Sequence, residues 1–210
     1  MAAKKKAANA KRPVNSGFEK ERANLLVRLY SGDSVQDPVS WMSPVQGLLA
    51  VLQSFGKPLP KATADAWGKP VDELVAIGLA NVKAQAEHRI EPKDAGGGRT
   101  ITAVWGRNAY FASMVLRLDD FLGEAKLGAF VTVPFNGAIL FHKITGLDSR
   151  HVITPLLQSS HHLMKGADPL SPELYWWHAG RLHHLPSKDH GNVISWTATA
   201  EFSKVVVDGK

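Results

Sequence analysis

Residues 127–146 read LGAFVTVPFNGAILFHKITG, and the rest of the chain is organised around this stretch. Two apolar runs, 129–133 and 138–143, flank Pro134-Phe135-Asn136-Gly137. β-Branched and aromatic residues suit a pleated, buried surface, and Asn-Gly supplies the positive φ angles of a tight reversal. The stretch is therefore expected to form a β-hairpin. Pro134 should close its first strand, because proline has no N–H to give to the ladder. Near-continuous apolarity predicts burial on both faces, with helices packed against the sheet.

A chain of 210 residues can bury a sizeable core, and 44% hydrophobic with 21% charged residues is the composition of an ordinary soluble protein. No apolar run approaches the roughly eighteen residues that a membrane span requires. The opening MAAKKKAANAKRP has no apolar stretch behind its basic residues and so does not read as a secretory signal. With no cysteine there is no disulfide and no thiolate metal site. A cytoplasmic protein without a cofactor is the expectation.

The net charge of +6 belongs to one end of the chain. Lys4, Lys5, Lys6, Lys11 and Arg12 carry five positive charges with no acid among them, and removing those five from +6 leaves +1 for the rest. Residues 1–15 carry too few large apolar side chains to offset their ordering entropy, so a disordered basic tail is expected. Its functional reading is an arm for nucleic acid, and its bland reading is a solvated terminus. Residues 16–210 are expected to form one α+β domain.

Within that domain, Ser16 and Glu19 form a capping-box pattern ahead of an expected helix reaching Gly32. Residues 41–55 fit a helix capped by Ser43, or a strand over 48–52. Residues 57–70 form a spacer in which Trp67 docks on the core. Leu74, Val75, Gly78, Leu79 and Val82 define a helix over 71–87, followed by a loop at 92–98 and a strand over 100–105. A helix over 109–122 with Asn108 as cap, and another from Asp148 or Ser149 to about Lys165, flank the central hairpin. A second hairpin joins 175–178 to 181–185 across Ala179-Gly180, and 193–196 with 202–207 read as a last strand pair.

Four segments taken together, VDELVAIGLANVKAQ, NAYFASMVLRLDDFL, LGAFVTVPFNGAILFHKI and DPLSPELYWWHAGRL, resemble the YtpQ-like bacterial proteins. The resemblance covers roughly residues 70–186, and its most distinctive part is the Pro-Leu-Ser-Pro turn ahead of an aromatic strand. It implies an α+β fold and brings no catalytic residues with it. The chain departs from it at Phe135, where related proteins often carry a charged residue, and in its C-terminal extension.

Eight of the nine histidines lie between His142 and His190. Imidazole can bind metals and move protons, which raises a histidine- or metal-dependent hydrolase as an alternative. No HExxH or GxSxG occurs, and strand alternation splits His183 from His184. No metal ligands or catalytic residues are therefore assigned. Ser159-Ser160 beside His161-His162 lie on one helix, where neighbours do not face each other.

The expected recognition element is Tyr175-Trp176-Trp177-His178. Alternation gives Tyr175 and Trp177 one face, assigned to the core, and turns Trp176 outward on the face it shares with His178. The expected product is an α+β fold with a mixed or antiparallel sheet and helices mainly on one face. Its expected role is a non-catalytic protein-binding, adaptor or immunity-type module of a bacterial cytoplasm. Binding residues would be Trp176, His178 and His183, and nucleic-acid binding through the tail is a further alternative.

Overall fold

The computed structural model describes residues 16–32, 41–166, 168–190 and 194–208. The basic tail, the 33–38 connector and Val193 lie outside the described residues. In chain order the elements are α1 (Ser16–Glu21), β1 (Leu25–Ser31), β2 (Trp41–Val45), β3 (Leu48–Ser54), β4 (Lys57–Pro58), α2 (Lys61–Ala66) and α3 (Val71–Gln85). Then come β5 (His88–Asp94), β6 (Thr100–Gly106), a 3-10 segment Phe111–Arg117, α4 (Asp119–Leu122), β7 (Ala129–Phe135) and β8 (Ala138–Lys143). A 3-10 turn Leu147–Val152 leads into α5 (Ile153–Met164), followed by β9 (Leu174–His178), β10 (Arg181–Leu185), β11 (Ser187–Asp189), β12 (Ile194–Trp196) and α6 (Ala200–Phe202).

β7 and β8 lie in the middle of a six-stranded sheet of order β10-β9-β7-β8-β6-β5, with every pairing antiparallel. Their side chains are buried on both faces, as the unbroken apolar runs require. One face packs Ala103, Phe130, Leu140 and Trp176 against Leu156 and Leu157 of α5 and Phe202 of α6. The other packs Val131, Val133, Ile139 and Trp177 against the 3-10 segment and a second sheet. Helices α5 and α6 lie on one side of this sheet, the short α4 touches its other side, and the α+β class with an antiparallel sheet is as expected.

The second sheet corrects the reading of the N-terminal third. β1 pairs with β3 over seven residues, and β2 and β4 take the other side of β3. Leu25, Val27 and Leu29 alternate inward and are fully buried, so the helix expected to reach Gly32 stops at Glu21. Short apolar runs satisfy both periods, and the pairing with β3 decides between them. Residues 41–55 resolve the same way, towards strands. α3 lies across β1, and Gly78 permits the approach: a methyl group there would sit 2.9 Å from Val27 Cγ2. Trp67 docks on Phe18 as expected, with ring centroids 5.5 Å apart.

Four other expectations are corrected. The segment after Asn108 is a buried 3-10 stretch followed by the short α4, and residues 202–207 are helical. There Thr199 Oγ1 accepts the Phe202 N–H at 3.2 Å, and Phe202 and Val206, one turn apart, both face the sheet. In the central hairpin neither Asn136 nor Gly137 has a positive φ. The pairing register shifts between Thr132 and Phe135, so Pro134 sits inside an irregularity and the strand continues past it. Backbone bonds fasten this turn instead: the Asn136 carbonyl accepts from Ala112 N and the Gly137 carbonyl from Gly106 N, both at 2.9 Å.

Candidate functional site

Strand β9 alternates as its sequence dictates, with Trp176 on the α5 side and Tyr175 and Trp177 on the other. All three are buried, which overturns Trp176 as a recognition surface. The C-terminal extension covers it. Phe202 meets the indole edge-on at 5.2 Å, and the imidazoles of His178 and His183 flank it at 4.6 and 5.0 Å. Its N–H donates to the Leu127 carbonyl at 3.0 Å. His178 and His183 are half-buried parts of this stack, and His183 Nδ1 pairs with Glu201 Oε2 of α6 at 3.2 Å. The trio meets, as a cluster within the core. Trp177 donates to Asp119 Oδ1 at 2.7 Å, which gives that carboxylate a structural partner.

Other histidines are engaged separately. His184 Nε2 meets Glu173 Oε2 at 2.7 Å, His142 Nδ1 meets the Thr100 carbonyl at 2.8 Å, and His190 Nε2 meets Ser195 Oγ at 3.0 Å. Among the described residues no group of three or more histidines and carboxylates is placed to hold a metal ion. Ser160, on α5, is buried, and its hydroxyl has no hydrogen-bond partner among the described residues. Lys4, Lys5, Lys6, Lys11 and Arg12 lie outside the described residues.

The Pro-Leu-Ser-Pro turn is a fastening between the two sheets. Ser171 Oγ and the Tyr175 hydroxyl are 2.6 Å apart, and that hydroxyl donates to the Gln46 carbonyl in the β2–β3 turn at 3.2 Å. Burial pushes the Tyr175 pKa far above its ordinary value, and the hydrogen bond with Ser171 opposes this only in part. The group is therefore a neutral structural hydroxyl and not a base.

An open site lies elsewhere, at the end of the large sheet where β6 and the β7–β8 turn meet the α3–β5 junction. Trp105 and Phe135, both half-buried with ring centroids 6.3 Å apart, form its apolar floor. The Gly106 and Gly137 backbones also line it, and the cleft measures about 370 Å³. Its rim carries Glu87, His88, Arg89 and Arg107. Arg107 pairs with Glu87 at 3.2 Å, a largely exposed pair that a partner can exchange at little cost, and Arg89 pairs with the half-buried Glu91 at 3.3 Å. The Trp105 N–H donates to Glu91 Oε2 at 2.7 Å, and the Arg89 guanidinium and Lys93 ammonium lie 5.7 and 5.1 Å from its ring. The indole is thereby held in one orientation by its own edge strand.

Sequence reading missed this cleft because its walls come from three distant segments. The available signals were Trp105 at a strand end before Gly-Arg-Asn, and Phe135 at a turn position where the family it resembles often carries a charge. Searches against family models, curated proteins and solved structures find no match. Among the described residues no helix is long and apolar enough to cross a membrane.

Proposed function

We propose that this protein is a non-catalytic binding module that engages a protein surface through the Trp105–Phe135 cleft. The observation that carries the reading is the cleft itself, a pre-formed aromatic floor with arginines on its rim. Aromatic residues and arginine supply most of the binding energy at protein interfaces, and concave sites hold their anchors best. The histidines support the same reading, since those that would serve a hydrolase are engaged with carboxylates, carbonyls and rings in separate places. An adaptor or immunity-type role in a bacterial cytoplasm fits such a module.

The test is cross-linking capture with the parent chain and with Phe135→Ser and Arg107→Glu variants. Loss of the same protein from both variants, at unchanged melting temperature, is the expected result. Equal capture by all three would refute the cleft as the binding site.

A further inference from the structure

The β3–β4 hairpin turns on two residues, Phe55 and Gly56, with φ of 51° and 75°. Two positive φ angles define the turn that prefers Asn, Asp or Gly at its first position. A phenylalanine is held there in a conformation that bulky L side chains resist, and the residue is 68% exposed. Single exposed apolar residues are ordinary, but this one gains nothing from burial and resists its own backbone. Phe55 weakens the isolated chain on both counts, so its advantage has to lie outside the chain.

The hairpin tip and the cleft occupy the same end of the molecule. A methyl group on Gly56 would lie 3.7 Å from the Tyr110 hydroxyl. Tyr110 belongs to the 106–112 connection, which is bonded through Gly106 and Ala112 to the β7–β8 turn at the cleft floor. Building on the reading of the cleft as a protein-binding site, we infer that its occupant is Phe55 of a second copy of this chain. Two copies then form a two-fold pair, each inserting its hairpin tip between Trp105 and Phe135 of the other.

Three observations favour this occupant. A two-fold interface needs projection and recess on one surface of the same chain, and both are here. The cleft of about 370 Å³ accommodates an aromatic side chain. The rim carries both signs, Glu87 and Glu91 against Arg89 and Arg107, so it selects neither an acidic nor a basic partner and can complement itself. Lys57, next to the tip and without an ion pair among the described residues, would arrive beside those acids. Edge-to-edge pairing through β5 is a poor competitor, because Pro92 and the charged side chains of HRIEPKD blunt that edge.

The experiment is sedimentation velocity on the full chain across the micromolar range, with Phe55→Asn, Arg107→Glu and Leu147→Asn variants. Asn suits the left-handed backbone, so Phe55→Asn is expected to melt at the same or a higher temperature while dimerisation weakens on the order of tenfold or more. Arg107→Glu should also weaken the dimer. Leu147→Asn, an exposed apolar site beyond the other end of β8, should leave it intact. A parent that stays monomeric throughout would overturn the inference, as would a dimer that Phe55→Asn or Arg107→Glu leaves untouched. A monomeric parent whose Arg107→Glu variant still loses a captured partner overturns the second copy while leaving the cleft as a binding site.

Discussion

The imidazole of His178 lies flat against the indole of Trp176, with ring centroids 4.6 Å apart and 7° between their planes. With Phe202 on the indole edge, this stack removes Trp176 from the surface as completely as its neighbours on the other face. Trp176→Ala and Trp177→Ala are therefore expected to destabilise the protein similarly, by about 3–5 kcal/mol each. Chemical denaturation of both variants checks this. A near-neutral Trp176→Ala would mean that α6 does not cover the sheet.

Gly128 has φ of 77°, and a methyl group there would fall 1.9 Å from the Trp177 carbonyl oxygen. Since both the backbone angle and the space are closed to other residues, Gly128→Ala is expected to cost about 3 kcal/mol. At Gly137 the obstacle is crowding alone: a methyl group there would meet the Phe135 ring at 2.8 Å. Gly137→Ala should therefore cost less than Gly128→Ala, and Gly137→Val should fall between them. Melting temperatures of the three variants rank the effects.

Tyr175→Phe removes the hydroxyl that Ser171 and Gln46 share, an expected loss of about 1–2 kcal/mol at neutral pH. The raised pKa adds an alkaline signature. Below the ordinary value of 10.0 the hydroxyl is protonated in both folded and unfolded chains, and its contribution is complete. Above that value the unfolded chain ionises while the native one resists, so stability falls as pH rises. The alkaline loss should be shallower in Tyr175→Phe than in the parent. In a spectrophotometric titration of the parent, one tyrosine should ionise only as the chain unfolds.

Pro92 lies in the edge strand β5, opposite Thr102. A proline fits there because the missing N–H has no neighbouring strand to serve. Pro92→Thr restores a donor to an open edge and is expected to promote open-ended aggregation, measured by light scattering, with little change in melting temperature. A discrete species instead of growing aggregates would argue against edge-strand pairing.

The second hairpin, α3 and β6 were legible in the sequence because each carries a local rule that the final packing respects, whereas the central hairpin was legible from its two apolar runs and not from its turn residues. The Ala179-Gly180 turn, with φ of 48° and 76°, is such a case. Leu25, Leu26 and Leu29 were not legible, since three apolar residues at that spacing serve a helix face as well as a strand buried on both sides. Val205, Val206 and Val207 read as strand by propensity, yet the packing of Phe202 and Val206 on the sheet holds them helical. Alternation at Trp176 was correct, and the error lay in what covers the outer face, which depends on a segment more than twenty residues away. The cleft was the least accessible, because no single segment contains enough of it to form a pattern.

The bond from Tyr175 to Gln46 joins residues 129 positions apart. During synthesis the β2–β3 turn therefore emerges long before the hydroxyl that anchors it, and this tie between the sheets forms only once β9 is made. Ties of this span slow folding, because a long loop has to close before the contact stabilises anything. A chain released before residue 175 would leave the β2–β3 turn without this anchor.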